Sequence, residues 1–500
     1  MGELLHHLLE RNALNDPQGE ALVDPAVGVR WTWAELDRMA TKSAHGLQAE
    51  GLGRGDRAVL IMPNRPEFAV GLFAVLKAGG VVVPVNPRFT ARELAHIVKT
   101  SEAALVIHDP SLQQVVADSL SLAQSPARSL PAPRLLEPPA GAGGVLPADL
   151  TPADLAELIF TSGTTGAPKG AMLSHGAVAM AAAMFAAEMD IRLGDRVLSM
   201  MPLTHSAVLN LTFLGAAAAG ATNVIGNYSP GGLPQIVQQE RCTHFFGAPV
   251  AYFMSAKLPN LAEFDLSSMK RWAYGGAPTS REQVLAIRAK FGPNIACVYG
   301  LTEAGPNGTL LEPADQVEHA GSIGRRGTFN TEIRLVDEHG HDVAPGTVGE
   351  ILLRTTSAMD GYWRNEAATG ETIRDGWIWT GDMARRDEDG YIFIVDRKKD
   401  VVITGGVNVY PKEVEEVLNR HPAVEECAVF GVSHPEWGES VVVAYVARGG
   451  AEASEAALRD FCNEHLAGFK VPRAFHVVPA LPRNSNGKVL KADLRQQFRS

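Results

Sequence analysis

Two short segments carry most of the chemistry visible in the sequence. The first, Leu158-Ile159-Phe160-Thr161-Ser162-Gly163-Thr164-Thr165-Gly166-Ala167-Pro168-Lys169-Gly170, runs from an apolar strand into a loop of hydroxyls and glycines that ends on a lysine. Glycines let the backbone approach a polyanion closely, exposed N–H groups and hydroxyls bond phosphate oxygens, and Lys169 adds a positive charge. The Walker A pattern fails by count. Its second glycine would fall on Pro168, and Lys169 is followed by Gly170 instead of Ser or Thr. The segment therefore reads as a phosphate loop of another kind. The second segment, Tyr299-Gly300-Leu301-Thr302-Glu303, follows the strand-like run Ile295-Ala296-Cys297-Val298. A Thr–Glu pair at the end of a strand suits a metal-bound triphosphate, with Glu303 as a hard oxygen ligand for Mg²⁺.

Three further segments are weak alone. Trp379-Thr380-Gly381-Asp382 offers a carboxylate, Asp382, able to accept both hydroxyls of a ribose. The charged cluster Asp396-Arg397-Lys398-Lys399-Asp400 leads into Ile403-Thr404-Gly405-Gly406-Val407-Asn408-Val409-Tyr410-Pro411. Near the C-terminus, Pro482-Arg483-Asn484-Ser485-Asn486-Gly487-Lys488 places Lys488 on a glycine-containing turn.

The elements that must position these residues alternate in type. Arg57 to Met62 and Val81 to Val85 read as strands, Phe68 to Leu76 as a helix, and Trp33-Ala34-Glu35-Leu36 opens another helix. Such βα alternation argues for a mostly parallel sheet with helices on both faces. Ser125 to Ala148 is crowded with Pro, Ala and Gly and reads as an exposed connector. A second α/β stretch runs from Leu155 to about Thr309, and short strands with turns occupy Gly321 to Val395. The last hundred or so residues read as a small α+β unit, with helices Pro411–Leu418 and Ser454–Leu466 and strands Glu426–Gly431, Ser440–Ala447 and Ala474–Val478.

Composition excludes several classes. A chain of 500 residues, 46% hydrophobic and 20% charged, is neither collagenous, coiled-coil nor disordered, and at roughly 150 residues per domain it holds about three units or one large and one small. A net charge of −11 disfavours nucleic acid or an anionic membrane as the main partner. Cys242, Cys297, Cys427 and Cys462 are widely spaced, as expected of reduced thiols in a cytoplasmic enzyme. Met1 to His7 lacks the character of a signal peptide, and the apolar run Ala207 to Gly226 reads as a buried helix and strand instead of a membrane span. His6/His7 and His339/His341 have no third ligand nearby in sequence and are expected in solvent.

Taken together and in this order, the five segments resemble the adenylate-forming superfamily of acyl-CoA synthetases, stand-alone adenylation domains of peptide synthetases and beetle luciferases, from about Trp31 to Lys488. The resemblance implies an α/β fold: a large N-terminal domain of mixed and parallel sheets flanked by helices, with a β-rich subdomain, over residues 1–396, and a small mobile α+β C-terminal domain over 397–500. It implies ATP, Mg²⁺ and coenzyme A acting with a small-molecule carboxylic acid, and leaves a homodimer open. The implied reaction is attack of a carboxylate on the α-phosphate of ATP, followed by transfer of the acyl group to a thiol.

Residue by residue, the resemblance implies that Thr161, Ser162, Gly163, Thr164, Thr165 and Lys169 hold the β- and γ-phosphates, with Thr161 and Glu303 on the metal. Gly275, Gly276, Ala277 and Pro278, with Tyr299, Gly300 and Thr302, would line the adenine and α-phosphate. Asp382 would bind the ribose beside Arg397, Lys488 would serve adenylation, Lys399 would sit at the hinge, and Gly405 and Gly406 would line the pantetheine tunnel. His205, Tyr252 and Tyr274 fall where the family builds its acyl site, but Thr204 replaces the aromatic residue that many relatives carry before this histidine. The run Val407 to Pro411 looks closer to CoA ligases of fatty and aryl acids than to carrier-protein adenylation enzymes, and no carrier domain is expected twelve residues beyond Lys488.

Overall fold

The computed structural model describes residues 3–137, 145–161, 168–277, 279–450, 453–483 and 489–498. Ser162, Gly163, Thr164, Thr165, Pro278 and Lys488 lie outside the described residues. Backbone contacts divide the chain into a larger unit, Met1–Ile333 with Leu352–Trp379, and a smaller one, Arg334–Ile351 with Thr380–Ser500.

In the larger unit, Arg57–Ile61, Val81–Val85 and Ala103–His108 are parallel neighbours separated by the helices Pro66–Lys77 and Ala91–Ser101. Their near-continuous Val, Ile and Leu content matches burial on both sheet faces. Capping boxes start three of the helices, Thr32 with Glu35, Thr90 with Glu93 and Ser280 with Gln283, satisfying backbone N–H groups that have no partner in the first turn. The seven-stranded sheet continues through Leu155–Thr161 to Lys169–Ser174 and ends on Gly361–Tyr362. These last two junctions are antiparallel, with Thr161 opposite Lys169 and Tyr362 opposite Ala171.

The eight-stranded sheet runs, in spatial order, through Gly308–Leu311, Ile295–Gly300, Arg271–Gly275, His244–Gly247, Arg196–Ser199, Thr222–Ile225, Glu20–Asp24 and Val29–Thr32. One apolar cluster joins both sheets, gathering Leu60, Val82 and Ile159 with Val197, Ile225 and Ala296 around helix residues Phe68, Phe73 and Phe185. Ala207–Phe213 is a π-helix that continues into the α-helix Leu214–Ala219 and the strand Thr222–Ile225. No helix among the described residues is long and apolar enough to cross a membrane.

Two local expectations are corrected. Within the stretch taken for an exposed connector, Arg128–Pro131 adds to the sheet edge beside Ala103–His108, and Ala132 and Leu135 are fully or almost fully buried. Edge pairing uses backbone groups alone and tolerates proline, so side-chain pattern did not betray it. His6 is buried against His175, not solvated, and burial pushes the two imidazoles down to about 3 and about 4.

The smaller unit contains a five-stranded sheet in which Gly438–Ala447 pairs with Val424–His434 and, in parallel, with Ala474–Val477. Pro411–Leu418 and Glu455–His465 pack Val414, Leu418, Leu458 and Cys462 against one face, while Leu494 of Lys491–Gln497 joins Phe430 on the other. Asp382 and Arg397 face each other across the antiparallel strands Trp377–Arg386 and Ile392–Arg397.

Candidate active site

The strongest cluster is in the larger unit, where two segments distant in sequence converge on the carboxylate of a third. Thr161 ends the strand before the phosphate loop, and its hydroxyl donates to Glu303 Oε1 at 3.3 Å. The phenol of Tyr362 donates to the same oxygen at 2.7 Å. The Glu303 backbone is tied as well, its carbonyl accepting from Met359 N–H at 2.9 Å. Lys169, first residue of the strand after the loop, holds its ammonium 5.2 Å from the centre of the Tyr362 ring. Burial, and then the Glu303 carboxylate beside it, push the Tyr362 phenol well above its ordinary range, so it stays protonated and donates. Tyr362 was not singled out from sequence. Its only local signal is an aromatic residue with a polar handle following Gly361, and partners 59 residues away along the chain leave no pattern.

The segment before Glu303 is built with equal closeness. Gly300 ends the strand Ile295–Gly300, and a side chain there would run into the Pro306 carbonyl, so only glycine allows the turn toward Thr302 and Glu303. Thr302 bonds Ser206 through their hydroxyls at 2.8 Å, which joins this turn to the residue after His205. Tyr299 is buried beside it. Gly275 closes the strand Arg271–Gly275, and Gly276 and Ala277 follow as exposed residues.

His205 is exposed, yet desolvation by the surrounding protein lowers its proton affinity, so its ring is neutral near pH 7. The chain leading to it is held by Asn64, which sequence reading also missed. Asn64 donates to the carbonyls of Met201 and Gly226, each at 2.8 Å, and accepts from Leu203 N–H at 2.8 Å. Tyr252 and Tyr274, expected at the acyl site, are both buried. Tyr252 is fully buried among Phe245, Trp272 and Phe291 with its hydroxyl on the Ala273 carbonyl, and Tyr274 is buried with its hydroxyl on Gln316.

In the smaller unit, Arg397 Nε pairs with Asp382 Oδ1 at 2.6 Å, and Asp382 is 3% exposed. Asp382 N–H bonds the Thr380 hydroxyl, which in turn donates to the Ile351 carbonyl, so the carboxylate sits on a fixed backbone. Lys399 is exposed in the short 3₁₀ turn Lys398–Asp400. Gly405 and Gly406 form an exposed turn between Val402–Thr404 and Val407–Val409, with Gly405 N–H bonded to the Trp437 carbonyl.

The Thr161 hydroxyl and the Glu303 carboxylate are hard oxygen donors side by side, and the donors from Thr161 and Tyr362 engage one carboxylate oxygen, Oε1. That donor set fits Mg²⁺, which takes one or two protein oxygens and completes its shell with water and phosphate.

Known proteins match most of the chain. The family described as AMP-binding enzyme matches residues 9–363, and the AMP-binding enzyme C-terminal domain matches residues 413–488. A feruloyl-CoA synthase of Amycolatopsis is 39% identical over 479 residues, covering 94% of each chain. The long-chain-fatty-acid–CoA ligase FadD13 of Mycobacterium tuberculosis is 33% identical over 511 residues, covering 98% of each. Among solved structures, the o-succinylbenzoate CoA synthetase MenE of Bacillus subtilis, in complex with its acyl-adenylate intermediate, superposes with a TM-score of 0.90 at 27% identity, covering 99% of this chain and 98% of that one. The chain thus belongs to the AMP-binding enzyme family and is an adenylate-forming, AMP-producing acyl-CoA ligase.

Proposed function

We propose that the chain activates a monocarboxylic acid, fatty or aryl, with ATP and passes the acyl group to coenzyme A in the cytoplasm. The observation that carries this reading is the convergence of Thr161, Glu303, Tyr362 and Lys169 at the two ends of the phosphate loop. In the first step a carboxylate oxygen bonds to the α-phosphorus of ATP, the bond to the bridging oxygen breaks, and pyrophosphate leaves. In the second, the CoA sulfur, having lost its proton, attacks the carbonyl carbon and AMP leaves. Both reactants in the first step are anions, so preorganised cations and donors dominate the catalytic effect.

In this mechanism Lys169 and the loop residues Ser162, Gly163, Thr164 and Thr165 bind the terminal phosphates, and Gly276, Ala277, Pro278, Tyr299, Gly300 and Thr302 surround the adenine and α-phosphate. Asp382 accepts the ribose hydroxyls, with Arg397 holding its carboxylate. Thr161 and Glu303 would hold magnesium, which would supply positive charge against the phosphates. His205, kept neutral, borders the acid. Lys488 bridges the acid carboxylate and the α-phosphate. Movement about Lys399 then exchanges Lys488 for the Gly405–Gly406 turn.

The greater identity to a feruloyl-CoA synthase favours an aryl acid over an aliphatic one as the second reading within this class. A panel of short, medium and long aliphatic acids, benzoate and cinnamates, assayed for CoA-dependent AMP formation, decides between them. AMP formation that ignores CoA with every acid overturns the CoA reading in favour of a carrier-protein acceptor. The role of Lys488 is checked by Lys488→Ala, expected to slow adenylation about 10²-fold while sparing thioester formation from preformed adenylate. Equal loss in both half-reactions removes the assignment.

A further inference from the structure

We infer that Tyr362 is a positioning residue for the nucleotide end of the site: its hydroxyl orients Glu303 for magnesium and its ring seats Lys169 for the phosphates. The inference rests on the functional reading above and deepens it by giving Tyr362 a defined role at that site.

The geometry is specific. Tyr362 is one half of the two-residue strand Gly361–Tyr362, which pairs with Lys169–Ser174, the strand that leaves the phosphate loop. The strand is held at both ends. Tyr362 N–H bonds the Thr369 hydroxyl at 2.8 Å, and Trp363 N–H bonds the Gly170 carbonyl at 2.8 Å. From this fixed backbone the phenol reaches Glu303 Oε1, the oxygen that also accepts from Thr161. Two donors on Oε1 restrict rotation of the carboxylate and leave Oε2 as the oxygen with metal-binding capacity, favouring a single-oxygen contact of the kind magnesium accepts. A carboxylate held only by Thr161 at 3.3 Å would be freer to turn both oxygens toward the loop lysine and neutralise it.

The ring does the second task. With its ammonium 5.2 Å from the ring centre, Lys169 is within the range of a cation–π contact. Tyr362 is 8% exposed, so this contact is largely shielded from water. The aromatic face therefore offers the lysine a neutral resting place, and the hydroxyl edge keeps the neighbouring carboxylate engaged elsewhere. One side chain thus touches both the cation Lys169 and the anion Glu303.

Two substitutions separate the tasks. Tyr362→Phe keeps the ring and removes the hydroxyl; Tyr362→Leu removes both. Binding of ATP is measured by titration calorimetry in EDTA and in excess magnesium, with no acid present and no turnover. Tyr362→Phe is expected to bind ATP in EDTA within about twofold of the unsubstituted chain and to lose about fivefold or more of the magnesium enhancement. Tyr362→Leu is expected to lose a further few-fold in EDTA as well, because Lys169 loses its seat. A Phe variant with unaltered magnesium enhancement overturns the inference. Should Tyr362→Phe lower the melting temperature, the cycle with Glu303→Gln decides: the inference requires the Phe change to have no further effect on magnesium dependence in the Gln background, and additive effects overturn it. An unsubstituted chain that binds no ATP under either condition overturns the functional reading itself, a result distinct from a normal chain and an indifferent variant.

Discussion

Glu303 in the larger unit is held by two side-chain donors to its carboxylate and a backbone bond to its carbonyl, whereas in the smaller unit the Gly405–Gly406 turn stands exposed between Ile403 and Val407, themselves 54% and 44% exposed. In the proposed mechanism the two regions serve steps with different demands. Charge develops on phosphate oxygens in the first step, and groups already fixed around that charge need no reorganisation. The second step must admit a long, flexible thiol, and a turn with few side-chain ties can receive it. Placement of donors is therefore concentrated in the larger unit, and accessibility in the smaller.

The largest effect tests the first half of that contrast. Glu303→Gln keeps the shape and an oxygen for Tyr362 but removes the charge. Adenylation is expected to fall by roughly 10²–10³-fold, about 3–4 kcal/mol, with thioester formation from preformed adenylate within about fivefold of normal. Pyrophosphate release and single-turnover thioester formation measure the two. If both fall together, Glu303 supports the unit as a whole and the separation of tasks is wrong.

A second buried feature sits on the strand that leads into the phosphate loop and gives a pH-dependent test. Glu157, on the strand Leu155–Thr161, is fully buried, and Asn210 of the π-helix donates to its Oε2 at 2.9 Å. Glu157 Oε1 and Asn210 Oδ1 are both buried acceptors without a hydrogen-bond partner. A proton on the carboxyl turns one of them into a donor, and burial pushes the Glu157 carboxyl up to about 7 from 4.5. Because the folded value is raised, the stabilising effect of this group is complete below pH 4.5 and is lost as pH rises toward 7. Glu157→Gln carries its own donor and does not titrate. It is expected to match the unsubstituted chain near pH 4.5 and to exceed it by about 3 kcal/mol at pH 8, read from denaturant unfolding. A stability difference that is constant from pH 5 to pH 8 would show that Glu157 does not carry a proton in the fold.

The sequence was most legible where local pattern and burial agree. Val81–Val85 and Pro411–Leu418 have the bounds expected from their residues, because a fully buried β-branched run and a proline-started amphipathic turn each have one favourable conformation. The loop residues Thr161 and Lys169 and the strand-end Glu303 were legible for a related reason, since their chemistry is local to a strand end. Tyr362 and Asn64 were not, because each acts through partners far along the chain and has no local pattern of its own. The packing of Phe245, Trp272 and Phe291 around Tyr252 likewise left no local pattern.

The smallest expected effect tests the other half of the contrast. Gly406 has φ +78° with no heavy atom near a would-be side chain, so a substitution there meets backbone strain alone and leaves packing untouched. For a β-branched residue that strain is about 1–2 kcal/mol. Gly406→Val should therefore leave adenylation within about twofold while slowing thioester formation about tenfold, as the strained turn and its new side chain obstruct the incoming thiol. The comparison with Glu303→Gln is then reciprocal: one variant fails before the adenylate exists, the other after. If Gly406→Val instead slowed adenylation as much as thioester formation, the exposed turn would be part of the same rigid machinery as Glu303, because an open loop serving only the thiol has no means of reaching back to the first step.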